Sequence, residues 1–383
     1  MKKSVIFILL LCASFSINAQ VKYETFQSSK LGEERQIKIQ LPRGYNSNDD
    51  KAYPIFVVLD GDYMFEAVAG NVDYFSYWED MPEAIVVGVN QYGKRFDDTL
   101  YSEQNSLPIE TGAFFFFEFI GMELMPYLEK NFRVGNFKIA VGHGETANFI
   151  NYYLLKPNAL FQAYVVVSPQ LAPNMLDYIP DVLGKTPTKT FYYLANTKNN
   201  SESILQMTQA LDSDISALEN ENLVYRFDSF ENPSHYSVPT HAIPSAIEGI
   251  FKVFQPISKK EYKEVILELE DSPVLYLQNK YQTIKELFGI EKPILINDFK
   301  AVAAAIEKNE RFEYYEELGK MARKAYPETL LGGYYLGRFY EEGGEPKKAM
   351  RTYQSAYTLE EIGGITKDEV LERADLIKQD FGF

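Results

Sequence analysis

Apolar positions in the first half of the chain fall into short continuous runs, rich in β-branched and aromatic residues and with little polar alternation. A strand with one wetted face alternates, whereas a strand covered on both faces does not. Strand candidates lie at 23–27, 35–41, 54–59, 84–89, 137–141, 164–168, 191–195 and 223–230, and most of them are runs of the second kind. Between the fourth and fifth, over 113–132, Phe115, Phe116, Phe119, Ile120, Met122, Leu124 and Leu128 recur at helical spacing. They predict one helix with a broad apolar face, its aromatic run packed in the core rather than lining a ligand box. Strands interleaved with helices predict an α/β domain over 20–256 with a mostly parallel sheet.

The pattern changes after Gln255-Pro256. Strand signals fade, and charged helical patterns take over at 259–269, 281–287, 297–308, 312–325 and 328–342, with a polar closing helix at 366–379. Leu336, Gly337, Tyr340, Ala349, Tyr353 and Ala356 fall on the spacing of a tetratricopeptide repeat, where small residues let two antiparallel helices approach and large ones fill the gap. The segment 257–383 therefore resembles a small all-α, tetratricopeptide-like domain, and such modules suggest a protein partner.

Residues 1–19 carry Lys2 and Lys3, an apolar run and the small residue Ala19, the layout of a signal peptide cleaved after Ala19. Export to the periplasm, the cell surface or the medium is expected, with no membrane span. Cys12, the only cysteine, lies in this leader, so the rest of the chain has no disulfide or thiolate chemistry. Loss of Lys2 and Lys3 deepens the net charge from -16 to -18. A surface that acidic repels nucleic acid, which is excluded as a partner.

Residues 138–149 read K-I-A-V-G-H-G-E-T-A-N-F: a buried strand, then Gly142-His143-Gly144-Glu145-Thr146, then a helical pattern. In α/β-hydrolases this corner is G-x-S-x-G, and it lifts a serine hydroxyl clear of the sheet. Here the nucleophile position is Gly144 and the last glycine position is Thr146. Glycine removes the attacking atom and tolerates the strained backbone of the corner. It also leaves room for about one water that a base could polarise. Three dispersed histidines offer no metal-ligand spacing, and no phosphate-cradling glycine motif occurs, so neither metal nor cofactor is expected. His235, in Ser234-His235-Tyr236-Ser237-Val238-Pro239, directly follows the last strand, where a hydrolase base belongs.

The stretches Tyr53-Pro54 through Leu59-Asp60-Gly61-Asp62, Val87-Gly88-Val89-Asn90 with Arg95 and Asp97, Glu123-Leu124-Met125-Pro126-Tyr127-Leu128, the elbow, and 234–239 follow one another over nearly all of 35–254. In that order the chain resembles the esterase group of α/β-hydrolases, which includes enterochelin esterases, S-formylglutathione hydrolases and feruloyl esterases. The resemblance implies an α/β-hydrolase fold and a small-molecule or glycan ester as ligand, of the acylated-sugar or siderophore kind. It implies His235 as catalytic histidine and an oxyanion hole from the backbone around Gly61 and Asp62 with the N–H of Glu145. It places the triad acid after the strand 191–195, where Glu202 is the first carboxylate. Without a serine at Gly144 the expected outcome is an impaired hydrolase or a non-catalytic binding protein. Restoring it by Gly144→Ser is expected to gain at least ~10² in ester hydrolysis.

Overall fold

A computed structural model describes residues 21–45 and 51–383; the leader expected at 1–19 lies outside the described residues. The chain divides into two compact units, one running to Ile250 and the other beginning at Phe251.

The first unit is built on one eight-stranded sheet in the order β1-β2-β4-β3-β5-β6-β7-β8. The strands are β1 (Val21–Ser28), β2 (Glu33–Gln40), β3 (Tyr53–Val58), β4 (Ile85–Val89), β5 (Val134–His143), β6 (Ala163–Val167), β7 (Thr190–Thr197) and β8 (Leu223–Phe230). Pairings β1–β2 and β2–β4 are antiparallel and all others parallel. Each apolar run of the sequence is a strand. β3, β4 and β6 are buried at every position, as strands covered on both faces must be. Ile55, Val57, Ala140, Tyr164, Val166 and Leu194 all join one core on a face of this sheet. This is the α/β-hydrolase fold, with a mostly parallel sheet.

The helix expected over 113–132 is continuous but not uniform. It runs as α-helix over Gly112–Glu118, as a π-helical turn over Phe119–Leu124, and as α-helix again over Met125–Asn131. Met125 donates its N–H to the carbonyl of Ile120, five residues back, and the next residue, Pro126, has no N–H to donate. The widened turn carries Glu123, whose carboxylate accepts Ser28 Oγ at 2.5 Å and the N–H groups of Ser29 and Lys30 at 3.0 and 3.1 Å. It thereby clasps the β1–β2 turn to the helix.

The second unit is helical, with Pro273–Phe288, Ile296–Lys308, Tyr315–Ala325, Leu330–Glu342, Pro346–Ala356 and Lys367–Phe381 as its main elements. The first of these begins eight residues before the expected 281. Ser272 caps it by accepting the N–H groups of Val274 and Leu275 at 3.2 Å, and Pro273 opens it, an N-terminal signal that apolar spacing alone does not carry. Leu330–Glu342 and Pro346–Ala356 pack closely. A Cβ on Gly337 would lie 2.0 Å from the Tyr353 ring, and one on Gly333 would lie 2.8 Å from Ala356 Cβ. Among the described residues no helix is long and apolar enough to cross a membrane, and no group of His, Cys, Asp or Glu could hold a metal ion.

Candidate active site

β5 delivers the elbow at its C-terminal end, between β3 and β6, where open α/β sheets place their ligands. Gly144 has φ +63° and ψ -120°, a backbone that side-chain-bearing residues adopt only under strain, and it leads directly into the helix Glu145–Leu154. A Cβ on Gly142 would meet the Thr146 carbonyl at 2.5 Å, so strand and helix approach as closely as a glycine allows. Thr146 does not push them apart. It is fully buried, its hydroxyl accepts the His143 N–H at 2.9 Å, and it donates to Asp60 Oδ2 at 2.7 Å.

His235 is brought to this corner by the loop after β8. The carbonyl of Pro233 accepts from Thr197 Oγ1 at 2.5 Å and from Asn199 Nδ2 at 3.1 Å, which latches that loop to the end of β7. His235 Nε2 then lies 3.8 Å from where a Cβ on Gly144 would sit. Its Nδ1 is 3.0 Å from Asn200 Oδ1, and Asn200 Nδ2 donates to the buried Ser168 Oγ at 2.9 Å. With the Asn200 amide turned this way, its oxygen accepts the Nδ1–H, and the Nε2 lone pair faces the elbow. Burial first, with Arg95 adding and Glu145 opposing, holds the His235 pKa below the usual histidine value.

Glu202 is not the partner of His235. It lies in the first turn of the helix Glu202–Ser216, where its carboxylate accepts Gln206 Nε2 at 3.1 Å. Asn200, two residues earlier in the same loop, holds the position instead. A search for carboxylates passes over it, because an amide offers the geometry of an acid without its charge.

The expected oxyanion donors also divide. Gly61 N–H donates to the Val89 carbonyl at 2.8 Å and is unavailable. A Cβ on Gly61 would lie 2.7 Å from the Val89 nitrogen, so its role is close backbone approach. The N–H groups of Asp62 and Glu145 have no acceptor among the described residues. Glu145 opens the elbow helix, whose leading N–H groups lack intrahelical partners. The Asp62 carboxylate accepts the Gln91 N–H at 2.6 Å.

Arg95 is the residue that sequence reasoning left without a role. Its Nη2 lies 3.2 Å from the Cβ position of Gly144, nearer than Gln170 Nε2 at 3.6 Å or His235. A side chain added at 144 would therefore meet this guanidinium first. The guanidinium is anchored from several sides: Nε to Asp60 Oδ1 at 2.7 Å, Nη2 to Asp60 Oδ2 at 3.2 Å and to the His143 carbonyl at 2.8 Å, and Nη1 to the Glu145 carboxylate. Burial disfavours its charge, but Asp60 and Glu145 outweigh that and raise its pKa. His143 sits beneath, its ring centroid 4.5 Å from that of His235. Its Nε2 faces the His235 carbonyl at 3.0 Å and must carry the proton, so Nδ1 accepts the Tyr63 hydroxyl at 2.9 Å. Burial, then His235 and Arg95, push its pKa down to about 3.

The esterase family model matches residues 28–217, a span that contains the elbow and stops short of His235. Among solved structures, an uncharacterised protein from Capnocytophaga ochracea DSM 7271 is 31% identical, with a TM-score of 0.83 over 94% of this chain and 100% of that one. An IroE-like serine hydrolase from Shewanella oneidensis is 21% identical, with a TM-score of 0.59 over 79% of this chain and 98% of the other. The siderophore hydrolase EstA from Aspergillus nidulans is 15% identical, with a TM-score of 0.52 over 63% and 97%. At such identities the last two share the fold. No curated protein matches the chain.

Proposed function

Because the chain belongs to the esterase group of α/β-hydrolases and has no hydroxyl at the nucleophile position of its elbow, we propose that it binds carboxylic esters and that its own turnover is slight or absent. Acylated sugars and siderophore-like esters are the ligand classes, the second motivated by the siderophore hydrolase among its fold neighbours. The observation that carries this reading is Arg95 Nη2, 3.2 Å from the Cβ position of Gly144. Acyl transfer needs a nucleophile that a base can deprotonate, and the guanidinium beside that position can be neither nucleophile nor proton donor to a base at working pH. His235 is a competent base with nothing to activate. Asn200 can orient its imidazole, but brings no charge to stabilise an imidazolium. The leader over 1–19 supports an exported protein, acting in the periplasm, at the cell surface or in the medium.

Hydrolysis of p-nitrophenyl acetate by the purified protein tests the reading, with calorimetric titration of the same ester for binding. Binding with little or no turnover is expected. Rapid turnover that His235→Ala abolishes would overturn the impairment.

A second reading, protein docking through the helical unit, is favoured by a groove within that unit.

A further inference from the structure

A groove of about 980 Å³ runs along the helical unit between Pro273–Phe288, the segment 290–295 and Tyr315–Ala325. Leu275, Tyr281, Ile294 and Met321 contribute an apolar lining, and Leu275 is 47% exposed. Lys285, Lys292, Lys320 and Lys324 also line it, against only two acids, Glu291 and Glu317. Counting Glu316, which pairs with Lys320, the balance is four cations to three acids, a small positive excess in a chain of net charge -16.

The four cations are not equally occupied. Lys285 pairs with Glu291, Lys320 with Glu316 at 2.6 Å, and Lys292 donates to the Phe254 carbonyl at 2.6 Å while lying over the Phe254 ring. Lys324 has no ion pair or hydrogen bond among the described residues.

We propose that this groove binds a short acidic peptide segment carrying aliphatic side chains, the aliphatic groups on Leu275 and Met321 and the carboxylates against Lys320 and Lys324. This deepens the docking reading of the helical unit and is independent of the ester cleft. Charge complementarity selects an acidic partner. Length selects a peptide over a nucleic acid. Charges are screened beyond about 8 Å at physiological salt, so a short segment feels the lysines of the groove, whereas a long polyanion reaches past them onto acidic surface. The apolar lining points the same way, because a sugar–phosphate backbone has nothing to place there.

The test uses the full chain and a short fluorescein-labelled peptide of leucine and glutamate, read by fluorescence anisotropy beside its lysine-for-glutamate counterpart. The acidic peptide is expected to bind, to lose affinity as salt rises, and to weaken by at least ~10-fold in Lys320→Glu/Lys324→Glu and in Leu275→Asp. All three positions are exposed, and unchanged circular dichroism melting of the variants shows that the groove, not the fold, was altered. Ester binding at the cleft should be unaffected. Equal binding of the two peptides, insensitivity to the lysine substitutions, or binding of a single-stranded oligonucleotide in place of the peptide would overturn the proposal.

Discussion

Asn200 Oδ1 stands 3.0 Å from His235 Nδ1, where an orienting carboxylate would stand in a hydrolytic triad. The geometry of the pair is that of a working site, and its charge is not. A neutral partner fixes the tautomer of the ring while withdrawing the counter-charge that a developing imidazolium requires. With Gly144, the site lacks both a hydroxyl at the nucleophile position and a carboxylate beside His235.

Restoring the serine alone should therefore achieve less than the sequence suggests. Loss of the acid's charge costs roughly 10⁴ in a serine protease, and the Arg95 guanidinium must also retreat from the new side chain. Gly144→Ser is expected to raise p-nitrophenyl acetate hydrolysis by less than ~10-fold, and Gly144→Ser/Asn200→Asp by at least ~10² more, the gain vanishing with His235→Ala. A large gain from Gly144→Ser by itself would show that Asn200 suffices as the orienting group.

The buried His143 makes stability depend on pH. Burial holds its pKa down to about 3 in the fold, against ~6.5 unfolded. Between these values the unfolded chain binds the additional proton, so stability is full above ~6.5 and is lost as pH falls towards 3. His235, also lowered, acts in the same direction. Urea unfolding of the wild type and of His143→Gln at pH 7 and pH 4.5 isolates the contribution. The wild type should lose about 2 kcal/mol more than the variant over that interval; equal losses would mean that His143 is protonated in the fold.

Gly337 and Gly70 should respond oppositely to alanine. Both lie in helices, where alanine is intrinsically favoured by roughly 1 kcal/mol. A Cβ at 337 would meet the Tyr353 ring at 2.0 Å, and that ring is held by its hydroxyl bond to Glu341 at 2.6 Å, so it cannot withdraw cheaply. Gly337→Ala should destabilise the helical unit by about 1–3 kcal/mol. Nothing lies within 4 Å of a Cβ at the exposed Gly70, and Gly70→Ala should be neutral or stabilising. Thermal unfolding of the two variants separates them.

The central strands β3, β4, β6 and β7 were legible because strands buried on both faces leave nearly unbroken apolar runs, whereas β1, β2 and β8, only partly covered, were marked by β-branched and aromatic residues among polar ones. The elbow was legible because a glycine pair flanking one residue after such a run has few other uses. What escaped depends on relations between distant residues. Asn200 is recognisable only once β7 and the His235 loop are latched side by side, and Arg95 only once Asp60 draws it across the end of β5. The donor role that the resemblance implies for Gly61 is taken up by the Val89 carbonyl, a bond visible only when β3 and β4 are paired. The π-helical turn at Phe119–Leu124 keeps the apolar spacing of a helix almost intact, so periodicity does not reveal it.

A serine in the backbone conformation of Gly144 would carry on the order of 1–3 kcal/mol of conformational strain, whereas glycine carries little. Domains of this kind retain only about 5–15 kcal/mol of net stability, so the relaxed corner is a sizeable reserve. A chain with that reserve can absorb destabilising substitutions elsewhere that would unfold a serine-bearing relative. Its sequence is thereby free to drift further from that of serine-bearing relatives while the sheet beneath the corner stays the same.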